Sequence, residues 1–326
     1  MKDVNIHITY VDGTLHNYLD YGIQIPMKNS RVTSTLESIV EDYGPVNSLS
    51  FEEPQSALEI LRCAHDMGFL SRTKSDQEQL VLETYELLSP SGDYTEYYKP
   101  EIATKPLTDF IDRAYLHVLG TYESSLKALK HDFCYHLGGG MHHAMSDRPG
   151  GFCMFNDIVS VLKSLKQSQH IGNALVIDTD AHKGDGTAEM SQQDDFISTY
   201  SIHMKDGWPL NRPFKKSHIP STCDVGVSVD DDYLSIHRES LNNFLKQYSG
   251  DLAIVVHGCD VYEFDALESS SGIALTREEC LKRDLTTYEA LKNQGIPQVW
   301  VMAGGYGDKS HLVFSQTIKE ILKRYS

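Results

Sequence analysis

The sequence lacks the features that would direct the protein to nucleic acid or into a membrane. Basic residues are scarce, since 29 lysines and arginines face 46 aspartates and glutamates, a net charge of −17 over 326 residues. A surface of this charge repels phosphate backbones and anionic lipids, so no direct nucleic-acid or membrane partner is expected. No apolar run approaches the roughly 20 residues of a membrane-spanning helix. Because the N-terminus also lacks the apolar core of a signal peptide, we expect a cytoplasmic protein.

Paired cysteines of the C-x-x-C type are also missing. The six cysteines lie far apart in the sequence, at Cys63, Cys134, Cys153, Cys223, Cys259 and Cys280. This spacing does not support a thiolate zinc ribbon, and a chain of this length needs no disulfide staples. We therefore expect buried free thiols in a reducing compartment. Internal repeats and low-complexity tracts are absent too, and we expect one domain over residues 1–326.

Short apolar runs that alternate with amphipathic stretches predict an α/β fold. We expect helices near 34–42 and 54–67, a loop from Ser89 to Pro100, and a helix after the capping-box pair Thr276 and Glu279. Near-continuous apolar strands between helices predict a central parallel β-sheet with helices on both faces. The predicted strands are 133–137, 174–177, 197–203, 225–229, 252–256 and 298–302, and further helices are 156–165, 233–248 and from about 310 to the end.

Polar residues flanked by glycine follow four of these predicted strands. The segments GGGMHHA, DTDAHKGDG, HGCD and AGGYG come after the runs that begin at 133, 174, 252 and 298. In parallel sheets the ligand site lies at the carboxyl ends of the strands. The four segments are therefore predicted to build one site.

The second segment carries a candidate metal site. Alternate residues of an extended segment share a face, so Asp180 and His182 can point at one ion. Asp260 follows another strand and can reach the same end of the sheet. Two carboxylates, one imidazole and an open position suit a catalytic divalent metal such as zinc. The spacing alone also fits acidic residues that cap turns.

The first and fourth segments carry candidate catalytic groups. Adjacent His142 and His143 could act as acid and base, with Asp178 and Asp185 near enough in sequence to orient them. Tyr306 lies in a glycine-rich turn, where a phenol can donate to an oxyanion. Taken singly, a histidine pair in a surface loop and an ordinary turn tyrosine remain open alternatives.

Together the four segments resemble the histone deacetylase family of the arginase–deacetylase fold. GGGMHHAMSDRPGGFCMFNDI is similar to the family's paired-histidine segment and the helix start that follows it. VIDTDAHKGDGTAE resembles its D-x-D-x-H block, HGCDVYEFDAL its third metal-ligand segment, and AGGYG its tyrosine turn. Order and spacing match over roughly residues 130–310, whereas the N-terminal third matches only loosely, around Ile25, Lys28 and Arg31.

The resemblance implies a role for each of these residues. A catalytic zinc ion would be bound by Asp180, His182 and Asp260. His142 and His143 would form the acid–base pair, the first supported by Asp178 and the second by Asp185. Tyr306 would polarise the substrate carbonyl and stabilise the oxyanion.

The resemblance also implies a substrate tunnel and a second ion. Gly151 and Phe152 would line the tunnel for an acylated lysine, with Trp208 as the opposite wall. Met141 stands where many members carry a bulky aromatic residue, which would change the floor of the acyl pocket. A structural potassium ion would be bound beside the zinc, through main-chain oxygens of Asp178, Asp180 and His182 with Ser201 nearby.

The expected activity is therefore zinc-dependent hydrolysis of an acylated amine, with acyl-lysine in a peptide or protein as substrate. An acetylpolyamine or another small acetylated amine stays open as an alternative. Leu267 falls where polyamine-specific relatives place a glutamate, but Glu268 is its neighbour and a one-residue slip would reverse the inference.

Two further alternatives are less well supported. An arginase-type enzyme would bind two manganese ions and would need a carboxylate two residues after His182, where this chain has Gly184. A catalytically silent binding protein of the same fold would not need the full set of ligands, acid–base groups and tyrosine that the sequence retains.

Overall fold

A parallel sheet forms the centre of the molecule. The structure, a computed structural model, describes residues 3–211 and 219–324. Within these ranges the sheet has eight strands in the order β2-β1-β3-β8-β7-β4-β5-β6, and every neighbouring pair is parallel. The strands are β1 Ile8–Val11, β2 Ser48–Leu49, β3 Phe133–His136, β4 Ala174–Asp178, β5 Ile197–Met204, β6 Cys223–Val227, β7 Leu252–His257 and β8 Gln298–Met302.

Helices cover both faces of this sheet. They are α1 Val4–His7, α2 Ser30–Tyr43, α3 Ala57–Leu61, α4 Met67–Ser75, α5 Gln77–Thr84, α6 Asp109–His131, α7 Asp157–Gln167, α8 Asp185–Ser191, α9 Tyr233–Gln247, α10 Arg277–Asn293 and α11 Ser310–Arg324. Short 3-10 turns lie at Tyr18–Tyr21, Pro54–Ser56, Pro100–Ile102 and Glu268–Ser270. Among the described helices, none has the length and hydropathy that a bilayer crossing requires.

The strand side chains alternate between two apolar cores. Val176 and Ile254 pack with residues of α3 to α7 on one face. Leu175, Val255 and Trp300 pack with residues of α2, α9, α10 and α11 on the other face. Because successive side chains of a strand point to opposite faces, a strand buried on both faces must be apolar throughout. This explains the uninterrupted apolar runs, and the predicted two-sided parallel sheet is confirmed.

Several local predictions need correction. The helix predicted near 54–67 is confirmed only in part, because a 3-10 turn at Pro54–Ser56 leads into α3, which ends at Leu61, before α4 begins at Met67. The strand predicted over 225–229 lies two residues earlier, in β6. Cys63 and Cys223 are free but only partly buried, whereas the other four thiols are buried as expected.

The four strands that precede the glycine-flanked segments are neighbours in the sheet. They stand in the order β3-β8-β7-β4 at its centre. Because all four run in the same direction, the segments that follow them emerge side by side at one edge. The topology thus brings residues that are more than a hundred positions apart in the sequence into one place.

Candidate active site

Two carboxylates and one imidazole meet at the end of β4 and β7. Ligand atoms of Asp180, His182 and Asp260 all lie within 4.8 Å of one another, and the three side chains are buried. The His182 Nδ1 atom lies 3.0 Å from Asp260 Oδ2 and 3.3 Å from Asp180 Oδ1. Main-chain groups orient the carboxylates, since the Ala181 N–H donates to Asp260 and the Gly304 N–H donates to Asp180. The predicted three-residue metal site is therefore assembled in the fold.

The surroundings of this cluster fit a divalent cation. A Cβ atom added at Gly304 would lie 2.4 Å from Asp180 Oδ2 and 2.6 Å from Asp260 Oδ2, so only glycine leaves space beside both carboxylates. Burial lowers the pKa of His182, but hydrogen bonds to Asp180 and Asp260 outweigh it and raise this pKa to about 10. A site that holds a proton so tightly requires positive charge, which a metal ion supplies when it displaces that proton.

His142 and His143 lie directly beside the cluster. His142 Nδ1 donates to Asp178 Oδ2 at 2.7 Å, and His143 Nδ1 donates to Asp185 Oδ1 at 2.8 Å. The two rings are 3.9 Å apart between centroids, and both side chains are buried. The structure thus pairs each imidazole with the carboxylate that the resemblance assigned to it.

Burial lowers the pKa of both imidazoles, but their neighbours shift the two values apart. For His142, Asp178 and then Asp180 outweigh burial and raise the pKa to about 9. For His143, burial and then the positive charge of His142 lower the pKa to about 3, although the hydrogen bond to Asp185 acts in the opposite direction. In the metal-free protein these shifts favour a charged ring for His142 and a neutral ring for His143 at neutral pH.

Tyr306 reaches the same point from the turn after β8. Its side chain is buried, and its ring packs against Phe152 at 6.0 Å between centroids. Burial, followed by the nearby charges of Asp180 and Asp260, raises the pKa of Tyr306 well above its ordinary value. The phenol therefore stays protonated and can donate a hydrogen bond.

Two cavities meet at these groups. An outer cavity of about 1120 Å³ and an inner chamber of about 60 Å³ share part of their lining. The shared residues include His143, Gly151, Phe152, His182 and Tyr306. The reaction centre therefore lies between a wide mouth and a small space behind it.

The residues predicted to bind substrate occupy these cavities. Trp208 lines the mouth together with Gly151 and Phe152, and it packs edge-on against His143 at 4.3 Å between ring centroids. Leu267 and Glu268 both line the mouth, whereas Met141 lines the inner chamber. Their roles in binding stay predictions.

Ser201 lies beside the metal cluster, as expected for the second ion. It pairs in register with Asp178 across β4 and β5, and its Oγ atom lies 2.9 Å from His203 Nδ1. The placement agrees with the predicted potassium site, and potassium itself stays a prediction.

Sequence reasoning assigned no role to several residues that hold the site in place. Asp157 accepts hydrogen bonds from the Gly140 and Met141 N–H groups and so fixes the loop before the histidine pair. Arg31 on α2 donates to the Met302 and Gly305 carbonyls and fixes the turn before Tyr306. Asp157 lies in the FNDI segment that the sequence analysis quoted. The contact of Arg31 with the turn before Tyr306 has no signal in the sequence, because hydrophobic periodicity does not report contacts between distant segments.

Asp265 is a third missed residue, and it links two loops of the site. Its Oδ2 atom accepts the Tyr306 N–H at 2.7 Å, and its Oδ1 atom accepts the Leu267 N–H at 2.9 Å. One carboxylate thus ties the tyrosine turn to the loop at the mouth. Its only sequence signal was its place in HGCDVYEFDAL.

Comparison with known proteins identifies the family. A model of the histone deacetylase domain matches residues 25–322, and the chain therefore belongs to the histone deacetylase family. An uncharacterized protein of Picosynechococcus sp. is 31% identical over 212 residues, which cover 64% of this chain and 68% of that protein. The acetoin utilization protein AcuC of Staphylococcus xylosus is 31% identical over 145 residues, which cover 42% of this chain and only 37% of AcuC.

Solved structures agree with the fold. The HD domain of HDA15 superimposes with a TM-score of 0.69 at 16% identity, covering 97% of this chain and 90% of that one. The acetylpolyamine aminohydrolase from Burkholderia pseudomallei gives a TM-score of 0.67 at 18% identity, covering 96% of this chain and 98% of that one. The predicted arginase–deacetylase fold is confirmed, and family membership places the chain among hydrolases of acetylated amines.

Proposed function

We propose that the protein hydrolyses the amide bond of an acylated amine with the help of one zinc ion, and that acyl-lysine in a peptide or protein is its substrate. The observation that carries the proposal is the buried cluster of Asp180, His182 and Asp260, with two oriented histidines and a protonated tyrosine beside it. A zinc ion bound there supplies Lewis-acid polarisation of the carbonyl and lowers the pKa of water.

The two histidines suit different steps of the reaction. We assign His143 as the general base, because its ring is neutral and its Nδ1 proton is held by Asp185, which leaves Nε2 to accept a proton from the attacking water. The same atom then returns the proton to the leaving amine. His142 donates from Nδ1 to Asp178, which favours a positive charge on its ring, and that charge would stabilise the negative charge of the transition state.

Tyr306 donates its hydroxyl proton in a hydrogen bond to the oxyanion. Its protonated state supports this role. We expect Tyr306→Phe to lower kcat by about a hundredfold to a thousandfold, the range for one lost oxyanion donor, with an unchanged melting temperature. Tyr94→Phe, the same change at an exposed tyrosine that lines neither cavity, serves as the matched control and should keep wild-type activity. Near-normal kcat in Tyr306→Phe would show that the assignment is wrong.

A small acetylated amine is the second candidate substrate. The mouth carries three acidic side chains, Glu86, Glu268 and Asp308, against the two lysines Lys28 and Lys309, and this excess of negative charge would favour a cationic polyamine. A side-by-side assay of acetyl-lysine peptides and acetylpolyamines, with a hydroxamate chelator as control, separates the two candidates. A larger kcat/KM on the polyamine would reject the acyl-lysine proposal but keep the amide hydrolase.

Metal analysis tests the hydrolase itself. We expect about one zinc ion per chain after reconstitution, lost in Asp180→Ala together with activity. A binding protein without catalysis would give no turnover of any acylated amine even when zinc is bound.

A further inference from the structure

The inner chamber beside the reaction centre has several basic side chains in its lining. His143, Tyr306 and Met141 line it together with Arg31 on α2 and Arg113 on α6. A buried water needs roughly 10–15 Å³ of such space, so a chamber of about 60 Å³ holds about four to six waters, or about five non-hydrogen atoms of a ligand. The space is therefore larger than the methyl group of an acetyl chain requires.

In the part of the chain that the structure describes, Arg113 donates only to neutral groups. Its Nε atom donates to the Thr14 carbonyl at 2.9 Å and its Nη1 atom donates to the Tyr85 hydroxyl at 2.9 Å. Within residues 3–211 and 219–324, no carboxylate forms an ion pair with it. A guanidinium keeps its charge even when it is desolvated, so Arg113 brings an uncompensated positive charge to the chamber.

Arg31 adds a second positive charge to the same lining. It donates to the main-chain carbonyls of Met302 and Gly305, which are neutral acceptors. Among the described residues that line the chamber, Asp180 carries the sole carboxylate, and it belongs to the metal cluster. The described lining therefore offers Arg31 and Arg113 no carboxylate outside that cluster.

We infer that the chamber binds the carboxylate end of an acid-terminated acyl chain, such as a succinyl group, while the amide lies at the reaction centre. The inference rests on the proposed amide hydrolysis. Five non-hydrogen atoms follow the carbonyl carbon of a succinyl group, which agrees with the available volume. Arg113 supplies the charge-assisted hydrogen bonds that an uncharged chain of the same length cannot form.

The reaction is an ordinary hydrolysis. Water adds its oxygen to the acyl carbon, the carbon–nitrogen bond breaks, and the nitrogen takes up a proton. The products are a free amine and a dicarboxylate, and no oxidant or further co-reactant is needed.

The test compares peptides of one sequence whose lysine is acetylated, butyrylated or succinylated. Butyryl and succinyl chains have the same four carbons and differ in the terminal charge. We expect kcat/KM for succinyl-lysine to exceed that for butyryl-lysine by about tenfold or more. In Arg113→Met the ratio of the two values should fall by about tenfold to a hundredfold, the range for a lost charged hydrogen bond.

Two control variants accompany this comparison. Arg113→Lys keeps the charge and should keep a succinyl preference. Arg238→Met removes an exposed arginine of α9 and should leave the ratio unchanged. If Arg113→Met does not fold, the wild-type ratio and Arg113→Lys still decide the question.

A binding measurement on metal-free protein gives a second readout. We expect N-methylsuccinamate to bind more tightly than N-methylbutyramide by about tenfold, and the difference to disappear in Arg113→Met. Hydrolysis of acetyl-lysine without any succinyl preference in turnover or binding would overturn the inference alone. No hydrolysis of any acyl-lysine peptide would overturn the proposed acyl-lysine hydrolysis and the inference with it.

Discussion

At the residue scale, His142 and His143 show how neighbouring side chains acquire different properties. Both imidazoles are buried, and each is held by one carboxylate. His142 also lies 3.8 Å from Asp180, whereas His143 faces the positive charge of His142. The positions of the two histidines next to each other in the sequence therefore do not determine their protonation states. These states depend on the charges that the fold places near each ring.

Gly184 offers a test of the pairing between His142 and Asp178. A Cβ atom at this position would lie 2.4 Å from Asp178 Oδ2 and 3.2 Å from His142 Nδ1, so a methyl group would push these partners apart. We expect Gly184→Ala to lower kcat/KM by at least about tenfold, since a catalytic hydrogen bond typically contributes that much or more. Steady-state kinetics on an acetyl-lysine peptide measure the effect.

The matched control for this substitution is Gly68→Ala. Gly68 lies in α4, and apart from its chain neighbours and the backbone of its own helix no atom lies within 4 Å of the added Cβ. We expect unchanged kinetics there and a small gain in stability from the lost glycine entropy. Wild-type kinetics in Gly184→Ala would mean that the Asp178 contact does not matter for turnover.

At the scale of elements, loops from different strands must be held in register. Asp265 does this between the turn after β8 and the 3-10 turn at Glu268–Ser270, because it accepts from both the Tyr306 and the Leu267 N–H groups. An amide in its place sets an NH2 group against one of these donors. We expect Asp265→Asn to lower kcat by about tenfold or more and to change KM far less, because the tyrosine moves while the outer cavity stays open.

Ser270→Ala is the control for Asp265→Asn. It removes only the 3.2 Å hydrogen bond from the Ser270 hydroxyl to Asp265 and a local bond to the Leu267 carbonyl. Its kcat should stay within about threefold of wild type. A loss of melting temperature in Asp265→Asn that matches its loss of kcat would instead point to general unfolding.

Sequence patterns could predict some elements and not others, for physical reasons. Fully buried central strands such as β4 and β7 appear in the sequence as continuous apolar runs, and the capping box at Thr276 correctly predicts the start of α10.

The 23-residue helix α6 was not predicted, although it carries Arg113 and His117. The catalytic residues were predictable because they follow strands. The roles of Arg31, Arg113 and Asp265 could not be predicted from the sequence, because these roles depend on contacts between segments that are distant in the chain.

At the scale of the whole molecule, several histidines are buried as neutral rings. Burial lowers the pKa of His65 and His136 to about 4 and that of His237 to about 3. For His65 the cause is visible in the hydrogen bonds, because Nε2 accepts the Asn156 N–H at 3.0 Å and so cannot take a proton without losing it. Asn156 in turn caps α7 by accepting the Val159 N–H.

These histidines predict loss of stability in mild acid. Their folded pKa values lie below the unfolded value of about 6.5, so the unfolded chain binds more protons once the pH falls below that value. Their contribution is intact above pH 6.5 and is lost as the pH falls towards 4, at up to about 1.4 kcal/mol per pH unit for each histidine. Urea unfolding of metal-free protein between pH 7.5 and 5.0 measures this slope. The raised pKa values of His142 and His182 oppose this slope above about pH 6.5, and those of Asp260 and Asp265 oppose it at lower pH, so the difference between wild type and a single histidine variant is the decisive reading.

The contribution of a single histidine to this pH dependence of stability can be measured separately. In His65→Gln the free energy of unfolding should be lower at pH 7.5, and its fall between pH 6.5 and 5.0 should be smaller by up to about 2 kcal/mol, the share of one titrating group. His170→Gln alters an exposed histidine and should keep the wild-type slope. The explanation fails if stability is flat over this range or if His65→Gln leaves the slope unchanged. A reduced slope would show that acid sensitivity arises in the packed core around α7 as well as at the active site.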